Sequence, residues 1–167
     1  MTRHITSAPD WKFVTERFSH FLAFGFGSGL VPRLPGTAGT LVGLALYLLL
    51  RDSIGTYAML LLIAVTFVIG TWASGATEKS LGAADHGGIV IDEIVAIWLV
   101  LIFIPQTAWW FASAFLLFRI FDILKPWPIR FFERHIPGGF GIMFDDLLAA
   151  SYTLVVIELA VRFLYDI

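Results

Sequence analysis

The sequence predicts an all-α protein, a polytopic membrane helix bundle with about five (four to five) transmembrane helices and an interfacial N-terminal helix. The first observation is composition, because 58% of the 167 residues are hydrophobic and only 14% are charged. An average soluble domain has roughly 25% charged residues. The second is a mean hydropathy of +0.84, and the third is that the apolar residues fall in separate runs. Residues 1–167 are therefore predicted to form one membrane-embedded domain.

Five apolar runs account for the predicted spans. A helix needs about 20 residues, within a range of about 17 to 25, to cross a bilayer. The second and fifth runs reach that length alone, whereas the other three need flanking residues. Arg51 and Asp52 end the first run, and Pro105 separates the third from the fourth. The runs cover residues 39–50, 55–74, 89–104, 107–121 and 147–165.

Residues 1–22 precede these runs and are more polar. They have no basic stretch followed by an apolar core, so we do not expect a cleaved signal peptide. Apolar residues at helical spacing, including Trp11 and Phe18, alternate with Lys12 and Glu16. This pattern is typical of a helix lying in the membrane interface. An ordinary packed N-terminal helix is the alternative.

The distribution of basic residues predicts the orientation. With five spans, residues 1–38, 77–88 and 122–146 and the ends of the helices that adjoin them lie on the same side of the membrane. Nine of the eleven Lys and Arg residues lie on that side, and only Arg51 and Arg162 lie on the other. By the positive-inside rule the first side is cytoplasmic. The nine are Arg3, Lys12, Arg17, Arg33, Lys79, Arg119, Lys125, Arg130 and Arg134.

Several function classes are excluded by what the sequence lacks. The net charge is -2, and no dense stripe of Lys and Arg indicates nucleic-acid binding. Because cysteine is absent, there is no disulfide, thiolate nucleophile or thiolate metal site. The four histidines show no zinc-binding spacing, and no Gly-x-Ser-x-Gly motif indicates a serine nucleophile. Hydrolysis by this chain would need oxygen chemistry or a metal ion.

Five acidic residues lie where apolar runs begin or end, namely Asp92, Glu93, Asp122, Asp145 and Asp146. An acid at a membrane boundary is unfavourable unless it has a partner or a function. In the predicted topology all five meet at the cytoplasmic face. Converging carboxylates suit Mg²⁺, which prefers oxygen ligands and shares its coordination sphere with phosphate groups. We therefore predict a Mg²⁺ site formed by these residues.

Two of these clusters also have a simpler explanation. Acids near a helix start are stabilised by the helix dipole, which would account for Asp92 and Glu93. Asp122 and Lys125 are three residues apart, so they would form an ion pair on one helix. In the functional interpretation Asp122 binds the metal and Lys125 binds a phosphoryl oxygen.

Residues 24–40 are a candidate phosphate-binding loop, because their glycines let backbone N–H groups approach an anion. The segment matches neither the Walker motif nor a dinucleotide fingerprint. The alternative is a plain turn in which Thr37 or Thr40 caps the next helix. Arg119 and Arg130 are further candidates, either for the phosphate or for lipid head groups.

Four ordered motifs cover residues 24–150, and together they are far more specific than any one alone. They are Phe26-Gly27-Ser28-Gly29-Leu30 with Pro32 and Pro35-Gly36-Thr37; Asp85-His86-Gly87 with Ile89-Val90 and Asp92-Glu93; Phe118-Arg119-Ile120 with Asp122 and Lys125-Pro126-Trp127-Pro128-Ile129-Arg130; and Gly138-Gly139 with Gly141-Ile142-Met143 and Asp145-Asp146. This set resembles the motifs of the bacterial phosphatidylglycerophosphatase A family. Three positions depart from the family pattern, since Ala96 and Ala150 stand where glycine is usual and Val31 where serine is common. Alanine is still small enough for close helix contact.

The resemblance implies a Mg²⁺-dependent phosphatase of the bacterial inner membrane. It would hydrolyse phosphatidylglycerophosphate to phosphatidylglycerol and inorganic phosphate in phospholipid biosynthesis. A spare carboxylate, Glu93 or Asp146, would orient the attacking water, and an aspartyl-phosphate intermediate is equally open. The predicted catalytic residues are Asp92, Glu93, Asp122, Lys125, Asp145 and Asp146, and the five acids among them are the predicted metal ligands. The predicted substrate-binding residues are Arg33, Pro35, Gly36, Thr37, Asp85, His86, Arg119, Arg130, Gly138 and Gly139.

Two other classes of protein remain open on the sequence alone. A small ion or proton transporter would also place acids in membrane helices, but near the midplane rather than at helix ends. A non-catalytic scaffold would use its acids only as helix caps. Within the enzymes, another lipid phosphate or pyrophosphate is an alternative substrate. The predicted partners are a phospholipid substrate and the membrane, and no oligomeric state is predicted.

Overall fold

The structure is a computed structural model that describes residues 9–84 and 86–165. The regular structure in these residues is helical, and no β-strand occurs among them. The predicted all-α class is therefore confirmed. A 3₁₀ segment, Gly25–Leu30, lies between α2 and α3. The α-helices are α1 (Trp11–Glu16), α2 (Phe18–Ala23), α3 (Pro35–Leu50), α4 (Thr56–Leu81), α5 (Ile91–Phe103), α6 (Ala108–Leu124), α7 (Ile129–His135) and α8 (Gly138–Tyr165).

Helix α5 lies at the centre of the bundle, where α3, α4, α6 and α8 all pack against it. Beyond its first turn it is apolar on every side, and a helix of this kind is buried. Val95, Ala96 and Ile97 have no exposed surface. Ala150 of α8 is also fully buried. The two alanines that depart from the family pattern thus both occupy packed positions.

Close contact between α3 and α5 depends on Gly43. A Cβ at this position would lie 2.6 Å from Ile97 Cγ2 and 3.0 Å from Ile94 Cα. The short separation lets Trp98 Nε1 donate a hydrogen bond to the Gly43 carbonyl oxygen at 2.8 Å. Small residues permit such an approach between apolar helices, so Gly43 lets α3 pack closely against the segment of α5 from Ile94 to Trp98.

In the part of the chain that the structure describes, two helices, α4 and α8, are long and apolar enough to cross a membrane, and α3 is a shorter apolar helix. The predicted count of four to five spans is not confirmed. Helix α5 has 13 residues, which at a rise of 1.5 Å per residue reach about 20 Å, against a hydrocarbon core of about 30 Å. The sequence prediction counted residues on both sides of α5 that the structure places outside the helix.

Large apolar side chains cover the outward faces of the helices around α5. Extensive apolar patches on a protein surface mark contact with lipid or with another protein. The arrangement differs from that of a soluble bundle, in which the outward face is polar. The exposed side chains include Leu41 and Leu49 of α3, Leu61, Val68 and Trp72 of α4, Trp109, Leu116 and Ile120 of α6, and Val155, Leu159 and Phe163 of α8.

The N-terminal segment forms two short helices instead of one. The helix breaks at Arg17, which has an extended backbone with φ -139°. Phe13 is buried against Phe24, whereas Trp11 and Phe18 are exposed. The segment therefore has a packed face and an exposed aromatic face. It combines features of the packed N-terminal helix and of the interfacial helix that the sequence allowed. Residues 1–8 lie outside the described part of the chain.

Candidate active site

Four helices bring the predicted acids together at one end of the bundle. They are the beginnings of α3, α5 and α8 and the end of α6. Arg119 of α6 contacts Glu93 of α5, and Lys125, which caps α6, contacts Asp145 of α8. Glu93 is also close enough to Asp146 for their charges to interact. Acids that are far apart in the sequence thus lie in one region of the structure.

Helix α8 begins earlier than the sequence predicted. The predicted apolar run begins at residue 147, after the two acids, but α8 starts at Gly138, so Asp145 and Asp146 lie within it. Gly138 has a φ of +80°, a conformation that favours glycine. A Cβ at Gly139 would collide with the Thr71 carbonyl oxygen of α4. The two glycines therefore serve the start of α8 and its packing on α4, which together position the acids.

Among the described residues, Asp92, Glu93 and Asp146 form the acidic group with metal-binding spacing. One carboxylate oxygen from each lies within 4.8 Å of the others. The three residues are buried, with exposed fractions of 8%, 7% and 3%. Carboxylates crowded together away from water require neutralisation, because their charges repel each other and are poorly solvated.

The oxygen atoms of this acidic group fit Mg²⁺. Glu93 Oε2 and Asp146 Oδ2 are buried, and neither receives a hydrogen bond from the described part of the chain. A buried acceptor without a donor costs about 1–3 kcal/mol, and more when it is charged. A hard divalent cation would supply the missing partner, and Mg²⁺ is usually held by one or two carboxylates together with water and phosphate oxygens.

Asp122 and Asp145 lie outside the group of three, and each is paired with a cation. Asp122 Oδ2 lies 2.8 Å from Arg119 Nη1, and Asp145 Oδ2 lies 3.4 Å from Lys125 Nζ. The ion pair within α6 is thus formed by Arg119, one turn before Asp122. Lys125 has a left-handed backbone, with φ +43°, where the helix ends, and contacts neighbouring helices instead. Asp122 still lies close to Asp146.

Arg119 links three of the converging helices. Its Nη1 lies 3.3 Å from Glu93 Oε1 and 3.5 Å from Thr40 Oγ1, and its side chain is 15% exposed. A planar guanidinium held by several partners fixes the orientation of the carboxylates that it contacts. In this arrangement Arg119 orients Glu93 and Asp122, while its predicted contact with substrate stays a prediction.

Glu133 of α7 belongs to the site, and the sequence analysis missed it. Its Oε1 lies 2.7 Å from Lys125 Nζ. The two residues are separated by Pro126 and Pro128, so no helical spacing relates them. The presence of an acid within the basic segment 125–135 was the one sequence feature that could have indicated a role for Glu133.

Helix α3 begins at Pro35, four residues before the predicted apolar run. Proline is well suited to the first helical position, because its missing N–H would have no partner there. Thr37 and Thr40 consequently lie inside the helix, and its N-cap is Leu34. The alternative in which a threonine caps this helix is wrong. Gly36 is buried at the start of α3, directly against the Glu93–Arg119 pair.

Replacing Gly36 by alanine should reduce activity. A Cβ at this position would meet Glu93 Oε1 and lie 2.8 Å from Arg119 Nη2, so it would displace the pair that orients Glu93. We expect kcat/KM for phosphate release to fall by about 10–100-fold, the range for residues that support a ligand. Gly55→Ala is the matched control, because a Cβ there meets nothing within 4 Å. Equal activity of the two variants would contradict this role for Gly36.

Three other predicted substrate-binding residues make no direct contact with the acids. Arg33 is exposed just before α3, Arg130 donates a hydrogen bond to the Leu124 carbonyl oxygen, and His86 Nδ1 accepts one from Gly88 N. In residues 9–84 and 86–165, none of the three contacts the five acids through a hydrogen bond or an ion pair. Their roles stay predictions, and Asp85 lies outside the described residues.

A family model and two relatives of this chain carry the same family name. The family model described as phosphatidylglycerophosphatase A matches residues 21–161. A phosphatidylglycerophosphatase A of Haemophilus influenzae is 47% identical over 139 residues, which are 83% of this chain and 85% of that protein. A phosphatidylglycerophosphatase A of Escherichia coli K12 is 43% identical over 132 residues, which are 78% of this chain and 76% of that protein.

A third relative carries a different name. A Bacteroides thetaiotaomicron protein, provisionally named phosphatidylinositol-3-phosphatase, is 39% identical over 143 residues, which are 81% of this chain and 89% of that protein. No solved structure matches the chain significantly. Because the family model covers residues 21–161, and two relatives with the family name match more than three quarters of the sequence, the chain belongs to the phosphatidylglycerophosphatase A family.

Proposed function

We propose that this chain is a Mg²⁺-dependent lipid phosphatase that hydrolyses phosphatidylglycerophosphate to phosphatidylglycerol and inorganic phosphate in phospholipid biosynthesis. The names of two relatives that are 47% and 43% identical to this chain support the substrate. The observation that carries the reaction class is the buried group of Asp92, Glu93 and Asp146 with Arg119 and Lys125 beside it. Acids and cations gathered at one point suit the transfer of a charged phosphoryl group.

Asp92 together with Glu93 or Asp146 would hold the Mg²⁺ ion. When bound, the ion supplies charge neutralisation for the phosphate oxygens and for the oxygen that leaves with glycerol. Asp122 and Asp145 stay predicted ligands, and their contacts with Arg119 and Lys125 are compatible with a role at the edge of the site.

Residues of this chain can be assigned to the phosphoryl group and to the attacking water. Lys125 would bind a phosphoryl oxygen through its ammonium group, and Arg119 would keep Glu93 in position. Whichever of the Glu93 and Asp146 carboxylates does not bind the metal would accept a proton from the attacking water. The new bond joins the water oxygen to phosphorus, the bond from phosphorus to the glycerol oxygen breaks, and the proton passes to that oxygen.

The site would lie at the cytoplasmic face of a multi-pass inner-membrane protein with α3, α4, α5, α6 and α8 as its spans. The apolar outward faces of these helices support contact with lipid. Arg119, Lys125 and Arg130 lie at the end of the bundle that contains the acids, whereas Arg51 and Arg162 lie at the far ends of α3 and α8. The positive-inside rule then places the acids on the cytoplasmic side.

The second candidate is hydrolysis of another lipid phosphate, which the name of the Bacteroides relative favours. A transporter is less well supported, because Asp92 and Glu93 lie in the first turn of α5 and Asp146 lies in the third turn of the 28-residue helix α8, before its midpoint. A transporter site is expected nearer the middle of the membrane.

Purified protein in detergent should release phosphate from phosphatidylglycerophosphate, and EDTA should abolish the release until Mg²⁺ is restored. The parallel substrates are phosphatidic acid, phosphatidylinositol 3-phosphate and water-soluble glycerol 3-phosphate. Faster release from phosphatidylglycerophosphate supports the proposed substrate, and faster release from the inositol lipid supports the second candidate. Folded protein that releases phosphate from none of them would overturn the enzymatic proposal.

A further inference from the structure

A cavity of about 440 Å³ lies beside the acidic site, between the end of α6 and helix α7. Lys125, Arg130, Arg134 and His135 line it, and its described lining residues include no acid. We propose that this cavity binds the phosphodiester of the lipid substrate, one glycerol unit away from the phosphate that is removed. The inference rests on the proposed function, since phosphatidylglycerophosphate carries both groups.

The charge of the cavity suits a phosphodiester. Arg130 donates from Nη2 to the Leu124 carbonyl oxygen at 3.3 Å, which anchors one edge of its guanidinium. Arg134 has no hydrogen bond or ion pair to any residue in the described ranges, and its side chain is exposed. Arginine presents a planar set of donors that matches the oxygens of a phosphate group. Two such groups at one cavity can bind both non-bridging oxygens of a phosphodiester.

Lys125 connects the cavity to the acidic site. It lines the cavity, and its Nζ also lies 3.4 Å from Asp145 Oδ2, next in sequence to Asp146 of the metal-binding group. A head group bound at both places therefore needs two anionic groups joined by a short linker. A phosphate monoester and a phosphodiester joined by glycerol meet this requirement, whereas phosphatidic acid has only the monoester.

Two exposed aromatic residues at the cavity suit a substrate that stays in the bilayer. Trp127 is 80% exposed and Phe131 is 48% exposed. Such side chains favour the membrane interface, where an apolar ring meets polar head groups. Tyr152 Oη donates to the Trp127 carbonyl oxygen at 2.9 Å, which holds this loop against α8. The cavity thus combines cationic side chains with aromatic side chains suited to the interface.

The test compares two lipids in mixed micelles with saturating Mg²⁺. The double variant Arg130→Gln with Arg134→Gln should lower kcat/KM for phosphatidylglycerophosphate by about tenfold or more, because it loses charge-assisted hydrogen bonds. The loss should appear in KM, with kcat little changed. Activity on phosphatidic acid should stay within about twofold, since this substrate makes no phosphodiester contact. The double variant Arg130→Lys with Arg134→Lys should recover part of the lost preference for phosphatidylglycerophosphate over phosphatidic acid.

Lys79→Gln is the matched control, because it removes an exposed cation at the end of α4 and should leave the preference intact. Arg134→Gln alone provides the same comparison if the double variant does not fold. An unchanged preference in active variants would overturn the cavity assignment and leave the proposed function standing. Equal losses on both lipids would also overturn it. The assignment would be overturned as well if inorganic phosphate inhibited the double variant more weakly than the wild-type protein while the preference between the two lipids stayed the same. A wild-type protein inactive on phosphatidylglycerophosphate would overturn both proposals.

Discussion

Replacing Asp146 by asparagine should nearly abolish phosphate release while the helices stay folded. The substitution keeps the side-chain volume and removes one of three carboxylates that lie within 4.8 Å of each other. The loss should exceed the roughly 10–100-fold caused by removing a partner of a metal ligand. Removing one like charge from a buried group also lowers repulsion, so thermal stability should be kept or raised. Asp92→Asn should behave in the same way.

The measurement is phosphate release as a function of Mg²⁺ concentration, with circular dichroism and thermal unfolding of each variant in detergent. We expect a higher Mg²⁺ concentration for half-maximal activity wherever residual activity is measurable. Glu158→Gln is the matched control, because Glu158 forms an exposed ion pair with Arg162, and such pairs contribute only about 0–1 kcal/mol. Wild-type turnover and unchanged Mg²⁺ dependence in Asp92→Asn and Asp146→Asn would refute the metal site.

Replacing Lys125 by methionine should produce the second largest loss. The side chain keeps an apolar stem but loses the ammonium group that lies 2.7 Å from Glu133 and 3.4 Å from Asp145. A hydrogen bond to a charged group contributes roughly 1.5–3 kcal/mol, which corresponds to a fall in kcat/KM of roughly 10–100-fold. Steady-state kinetics with phosphatidylglycerophosphate measures this loss.

A second variant separates substrate binding from pairing with Glu133. If Lys125 only neutralises Glu133, then adding Glu133→Gln to Lys125→Met should restore activity, because the unpaired acid is removed. If Lys125 binds a phosphoryl oxygen, the double variant should remain as impaired as Lys125→Met. Glu133→Gln alone should keep most of the activity, since it leaves the ammonium group in place. Full rescue by the double substitution would therefore exclude a direct role of Lys125 in binding.

The limits of sequence-based prediction differ between the helices and the site. Hydrophobic runs predicted the helical class and the order of the long helices, because composition and periodicity are local properties. Helix starts were less predictable. Pro35 and Gly138 begin helices that we placed later, since the first turns carry glycine or polar residues and are stabilised by contacts with other helices. The short length of α5 was likewise not predicted, because flanking apolar residues continue its hydrophobic run.

Composition and the order of residues were enough to predict an all-α, strongly apolar protein with acids at the ends of its apolar runs. They were not enough to predict that Asp92, Glu93 and Asp146 form the close group while Asp122 pairs with Arg119. These distances depend on how each helix is rotated and how closely it packs on its neighbours. Those quantities are set by contacts between residues far apart in the sequence, such as Gly139 on the Thr71 carbonyl oxygen.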